Sequence, residues 1–266
     1  MKVYISADME GITGVTNWEE VDHNKSAYSQ FQKQMSLEVA AACEGAIRAG
    51  AKEIFVKDAH YSGRNILPYY LPKRVKIIRG WSGHPYSMFQ EIDSSFDAIM
   101  LVGYHARAGS SGNPLAHTMS SAKIERIVLN GREASELLLH GTIASMYRIP
   151  IIFVSGDSII CKEIESISPS VITHSTMQGI GDSTISIHPE LSINIIKKKS
   201  EASFKGDLNR CVWAHPKKFK LIINYMKQAD AYKAAQYPNA RLINSKSVCY
   251  EDQNYENIMR FILFCV

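Results

Sequence analysis

The sequence predicts a three-layer α/β/α fold with a largely parallel sheet, plus a smaller C-terminal α+β portion. Two observations carry that class. Through the first 165 residues, short apolar runs alternate with longer stretches of helical periodicity, the order from which parallel sheets are built. Chemically loaded residues follow three of those runs, in Asp8-Met9-Glu10, Asp58-Ala59-His60 and Gly103-Tyr104-His105. Open α/β sheets bind ligands at the carboxyl ends of their strands.

The elements are justified in turn. Residues 2–7 read as a strand. After a glycine-containing loop, residues 26–49 carry apolar positions at helical spacing (Met35, Val39, Ala42, Cys43, Ala46) and stop at Gly50, a natural C′ residue. Residues 53–57 are the next strand, so the first β-α-β unit is a parallel pair with a right-handed crossover. Residues 75–78, 97–102, 124–129 and 150–154 are further strands, and helices follow the last two at 135–147 and 157–166. In the second half, 189–199, 216–229 and 250–264 look helical, with short strands at 171–175, 221–224 or 241–244. The run 219–224 fits strand and helix templates alike, as short apolar runs do. A composition shift near 160–180 sets the expected division: an α/β core over 1–165 and a smaller subdomain over 166–266.

Composition excludes several classes. The chain has 266 residues, is 45% hydrophobic and 21% charged, and carries a formal charge of +4. That excess is too small and scattered to argue for nucleic acid. Lys197-Lys198-Lys199 and Lys217, Lys218 and Lys220 read as solvated helix ends. No apolar run approaches the ~18 residues that would span a bilayer. Cys43, Cys161, Cys211, Cys249 and Cys265 are dispersed, without C-x-x-C spacing, as reduced thiols are. Met1 leads straight into a strand with no signal-peptide pattern. A cytoplasmic protein is expected, in which the sequon Asn24-Lys25-Ser26 has no meaning.

The candidate chemistry lies at the strand ends. Side chains two apart on extended backbone point the same way, which pairs Asp8 with Glu10 and Asp58 with His60. Carboxylates and imidazoles converging on one sheet edge are a ligand set for zinc or a related divalent ion. Gly11 and Gly14 stand where the backbone would pass close to something bound. Asp58 could ligate, or it could orient a ligand. Glu133 and Glu136 are rival carboxylates around a helix start near Ala134–Ser135, after the turn signal Asn130-Gly131. Glu136 could equally serve the positive end of that helix. His117 follows a flexible loop at 109–113, a position for a mobile acid/base residue or an exposed histidine. His23, His84, His140, His174, His188 and His215 show no partner pattern. G-x-S-x-G, Walker, H-E-x-x-H and G-x-G-x-x-G patterns are absent.

Ser6-Ala7-Asp8-Met9-Glu10-Gly11-Ile12-Thr13-Gly14, Asp58-Ala59-His60-Tyr61-Ser62 and Gly103-Tyr104-His105-Ala106-Arg107 together resemble the zinc-dependent D-aminopeptidase (DppA) family of bacterial metallopeptidases. His117-Thr118-Met119, residues 130–137 and Ser155-Gly156-Asp157 continue the likeness in order over residues 1–165. The resemblance implies two divalent ions per chain, zinc in kind. Asp8 would bridge them, Glu10 and His60 would complete one site, and His105 and Glu136 the other. His117 corresponds to the family's candidate catalytic histidine. The implied activity is aminopeptidase cleavage of short, D-residue-containing peptides by a metal-bridging hydroxide, inside a self-compartmentalising homodecamer ring. Two other classes are kept: another dinuclear metallohydrolase (amidase or phosphoesterase, for which Arg107 and Arg64 are the candidate cations), and a non-catalytic binding protein on the same fold.

Overall fold

The computed structural model describes residues 1–266. In chain order the elements are β1 (Lys2–Ala7), α1 (Tyr28–Arg48), β2 (Glu53–Asp58), β3 (Val75–Ile78), β4 (Ala98–Tyr104), β5 (Ile124–Leu129) and β6 (Arg132–Glu133). They continue with α2 (Glu136–Met146), β7 (Ile151–Asp157), α3 (Ser158–Ile167), β8 (Ile172–Ile180), β9 (Ser183–Ser186) and α4 (Pro189–Ala202). The chain ends with β10 (Phe219–Tyr225), α5 (Gln228–Ala234), β11 (Arg241–Asn244), β12 (Ser247–Asp252) and α6 (Tyr255–Cys265).

Local chemistry sets several of these bounds. α1 closes in a Schellman arrangement: Gly50 takes φ +94°, its N–H donates to Ile47, and the Ala51 N–H donates to Ala46. Asn130 and Gly131 both adopt positive φ and join β5 to β6 as a two-residue hairpin, the turn this dipeptide favours. Ser135 caps α2 by accepting the Leu138 N–H at 3.0 Å.

The larger sheet has the order β3-β2-β1-β4-β7-β8-β9, parallel except for the β8–β9 pair. Successive strands run outward from β1 to β3, and the chain then returns to place β4 on the other side of β1. A crevice therefore opens beyond the carboxyl ends of β1 and β4, where such reversals place binding sites. α1 and α4 pack on each other so closely that a Cβ on Gly45 would meet Ser200 Oγ at 1.9 Å. α2 is buried along nearly its whole length, as a helix enclosed on all sides must be. It contacts β4, and its Leu139 carbonyl accepts from Tyr255 Oη of α6.

The smaller sheet is antiparallel, in the order β11-β12-β10-β5-β6. It corrects part of the reading of the second half. Residues 216–229 are not one helix: Phe219–Tyr225 is a strand, and helix resumes only at Gln228. Phe219, Leu221, Ile223 and Tyr225 are buried while Lys220, Ile222 and Asn224 are not, a period of two. Tyr250 belongs to β12, and the last helix begins at Tyr255. The strands do not divide between the sheets at residue 165. β8 and β9 extend the larger sheet, while β5 and β6 of the first half join the smaller one.

Beneath the crevice the strand ends meet at backbone contact distance. A Cβ on Gly11 would lie 1.9 Å from the Tyr104 carbonyl oxygen, and one on Gly156 would lie 1.9 Å from the same atom. Gly11 N–H also donates to Gly103 O at 2.9 Å, and Asp8 N–H to Val102 O at 2.8 Å. Only residues without a side chain allow this approach. Gly156→Ala is accordingly expected to lower stability by on the order of 1–3 kcal/mol through overpacking, as measured by urea denaturation. A loss under about 0.5 kcal/mol, the range of an ordinary surface change, would show that the ends of β4 and β7 part freely.

Candidate metal centre

Asp8 and Glu10 leave the end of β1, His60 follows β2, and His105 follows β4. Glu136 is the first residue of α2. The structure brings all five together, each at most 5% exposed. Asp8 stands between two histidines: its Oδ1 lies 3.3 Å from His60 Nδ1 and its Oδ2 3.5 Å from His105 Nε2. Glu10 Oε2 is 3.1 Å from the same His60 nitrogen, and Glu136 Oε2 is 3.4 Å from the same His105 nitrogen. Two sets result, Asp8/Glu10/His60 and Asp8/His105/Glu136, each with ligand atoms within 4.8 Å of one another. The side they share is the two oxygens of Asp8.

Each imidazole has one nitrogen occupied by the backbone. His60 Nε2 lies 2.9 Å from the Val21 carbonyl, His105 Nδ1 2.9 Å from Ala106 O, and His117 Nδ1 2.9 Å from Leu115 O. A carbonyl only accepts, so each of these nitrogens carries the hydrogen, and in the neutral ring the other nitrogen is a bare lone pair. Those lone pairs face carboxylates. That contact is repulsive unless a proton or a metal cation lies between, and His105 Nε2, fully buried, has no hydrogen-bond partner.

The electrostatics of the buried groups point to the same deficit of positive charge. Burial pulls His60 and His105 down, yet the surrounding carboxylates outweigh it and hold both well above the usual imidazole range. Burial pushes Glu136 up, but His105 brings it to about 2. Glu10 is likewise held low against its burial, chiefly by His60. Asp8 rises, through burial and then the neighbouring Glu10. Three buried carboxylates and two oriented imidazoles fit divalent ions with oxygen and nitrogen preference.

Glu133 stands outside this group. It pairs with Arg107 and lies 3.4 Å from Arg126. Although Glu136 is three residues on, Glu133 lies on β6 before the Ser135 cap, so the helical neighbour rule does not join them. Asp58 lies outside the ligand sets: it accepts from Asn65 N–H, Asn65 Nδ2 and Ile66 N–H, and Asn65 Nδ2 also donates to His60 O. It holds the turn that carries His60. His140 and His174 are buried in packing contacts, and His188 caps α4.

His117 sits just above, its ring stacked on His105 with centroids 4.4 Å apart and planes at 14°. Its Nε2 is 3.7 Å from Glu136 Oε1. Glu10, His105 and His117 form a third set at ligand distances. Supporting residues went unseen in the sequence. Asn113 Nδ2 donates to Glu10 O and to Asp157 Oδ2, and Asp157 accepts the Ala106 N–H. Met119, at φ +66°, donates its N–H to Glu136 Oε1 at 2.6 Å. No periodicity marks such bonds; the stretches His117-Thr118-Met119 and Ser155-Gly156-Asp157 carry Met119 and Asp157, without showing what they bond to.

The cluster opens into a cavity of about 610 Å³, walled by Trp18, Tyr61, Trp81, Met88 and Met119. Lys25 is the one lysine or arginine in its lining, and it lies 3.8 Å from Glu19. Arg107 is engaged by Glu133 outside the cavity.

A family model described as D-aminopeptidase matches residues 1–264. A D-aminopeptidase of Bacillus subtilis (strain 168) is 32% identical over 185 residues, covering 70% of this chain and 66% of its own length. A solved structure described as the Zn-dependent D-aminopeptidase DppA from Bacillus subtilis, a self-compartmentalizing protease, superposes with a TM-score of 0.92. It is 26% identical, and the match covers 100% of this chain and 96% of that one.

Glu136→Gln is expected to weaken divalent-ion binding by ~10-fold or more, the least that disturbing a metal's surroundings costs. Glu133→Gln should leave it unchanged. Competition against a chromophoric chelator measures both, and equal losses would contradict the placement of Glu136.

Proposed function

This chain belongs to the D-aminopeptidase family, and from that membership we propose that it is a metal-dependent aminopeptidase removing the N-terminal residue of short peptides. D-residue-containing peptides are its substrate class, and zinc its metal. The observation that carries the reading is the pair of buried ligand sets sharing Asp8. Asp8, Glu10 and His60 would hold one ion, and Asp8, His105 and Glu136 the other. When bound, the ions supply Lewis acidity and a nucleophilic water at neutral pH.

The remaining work falls to this chain's own residues. Because His117 Nδ1–H is committed to Leu115 O, Nε2 is the atom that gives or takes a proton. Stacking on His105 and a tilted contact with Trp18, centroids 5.4 Å apart, fix the plane of its ring. Glu136 Oε1 offers the protonated ring a counter-charge. From Nε2 the proton passes to the leaving amine, or the N–H stabilises the carbonyl oxygen as it becomes anionic. A phosphoesterase is disfavoured because no arginine lines the cavity.

We place the protein in the cytoplasm as a closed homo-oligomer, a homodecamer ring with its sites facing an internal chamber. All five cysteines are free, and no helix is long and apolar enough to cross a membrane.

Turnover of D-Ala- and L-Ala-containing dipeptides by the metal-loaded protein tests the activity; absence of any cleavage would leave a binding protein. His117→Ala is expected to keep its metal and lose ~10²–10⁴-fold in kcat, the share of general acid–base catalysis, with a smaller change in KM. Loss of an ion in the same preparation would make His117 a ligand. Light scattering should give a particle far above the 29.8 kDa chain, and a fully active monomer would refute the chamber.

A further inference from the structure

Trp81 is 41% exposed on the cavity wall, yet it is held from several directions. Its indole N–H donates to Tyr61 O at 2.8 Å. Gly80, just before it, donates its N–H to Gly63 O at 2.7 Å. These glycines touch so closely that a Cβ on Gly63 would lie 3.0 Å from Gly80 N and Cα. Beneath the ring, Lys57 places its ammonium 3.9 Å from the ring centroid.

Lys57 is the unusual part. It lies on β2, its residue wholly buried, and its Nζ donates to Gly80 O at 2.5 Å. No carboxylate forms an ion pair with it. A buried ammonium is costly, and an apolar residue would fill a strand interior without that cost. What the charge gains here is one carbonyl and one aromatic face, both belonging to the segment that presents Trp81. The local design therefore serves the fixed orientation of that ring.

Resting on the peptidase reading above, we propose that Trp81 is a platform for a neutral, planar side chain of the peptide substrate, held in place by Lys57 as a positioning residue. An ammonium against the ring already draws on its electron density, so a second cation is poorly received, while a neutral aromatic group stacks well. Glu19 and Asp22 in the lining do not reverse this preference, because Glu19 already faces Lys25 and Asp22 Oδ1 already accepts from the Asn24 N–H and Asn24 Nδ2. A cavity of about 610 Å³ admits a short peptide bearing one aromatic ring. Aromatic peptides are thus preferred over alanine peptides, and alanine peptides over lysine peptides.

The test uses the full-length, metal-loaded protein and D-dipeptides carrying Ala, Phe or Lys at the first or the second position. Trp81→Ala is expected to raise KM for the Phe peptide ~10-fold more than for the Ala peptide, the scale of one aromatic contact, with kcat changing alike for both. Trp81→Phe should restore most of the difference. Lys57→Met should reproduce part of the selective KM loss and shift the emission of Trp81, a signal absent in Lys57→Met/Trp81→Phe. Calorimetric titration with the reduced-amide analogues, which bind without being cut, reads the same preference independently of turnover. If the wild type cleaves nothing but binds the Phe analogue through Trp81, the peptidase reading fails and the platform stands. Equal effects on all three side chains, or the largest loss with lysine, would overturn the platform.

Discussion

Asp8, Glu10 and Glu136 are buried together with too little positive charge among them, and the surrounding architecture answers to that constraint. Burying three acids in a protein interior is tolerable only when cations compensate them. The protein alone offers protons on His60 and His105; divalent ions do the same with more charge and fixed geometry. Both sets depend on the two oxygens of Asp8 facing different histidines. Asp8 is in turn fixed by its N–H on Val102 O and by the close approach of Gly11 to the end of β4.

The centre also ties the two sheets together. Thr118 Oγ1 accepts from Ala108 N–H and donates to Ala134 O, linking the loop after β4 to the segment leading from β6 into α2. Met119 extends that link to the carboxylate of Glu136. The hairpin of the smaller sheet therefore delivers an acid to the edge of the larger one. Asp157 works from below, capping α3 through Ile159 and Ile160 while holding Ala106 beside His105. One carboxylate thus stabilises a helix start and positions a strand end.

A single rule orients all three histidines: one nitrogen donates to a backbone carbonyl, which turns the other toward the acids. That preorganisation removes the tautomer ambiguity a free imidazole carries. One ring of the cavity wall follows a parallel logic: Trp81 is held by a hydrogen bond to Tyr61 O and by the Lys57 ammonium. Rigid walls around an oriented centre favour a small, well-placed substrate.

The sequence by itself determined what depends on near neighbours. The strand-end carboxylates and histidines, the stop at Gly50, the Asn130-Gly131 turn and the helix start near Ser135 were legible because each rests on a backbone preference acting over a few residues. The alternation of elements announced the parallel sheet for the same reason. Tertiary structure decided whatever depends on partners distant in the chain. Residues 219–224 match helix and strand alike, and pairing with β5 and β12 selects the strand. Residue patterning alone leaves Glu133 as a rival to Glu136, and only the resemblance favours Glu136; the fold sets Glu136 at the start of α2 beside His105 and leaves Glu133 to Arg107. The Val21 carbonyl behind His60, Asn113 behind Glu10 and Lys57 beneath Trp81 carry no local signature. Their partners lie 39, 103 and 24 positions away, and only the packing of strand ends against one another brings them within bonding distance.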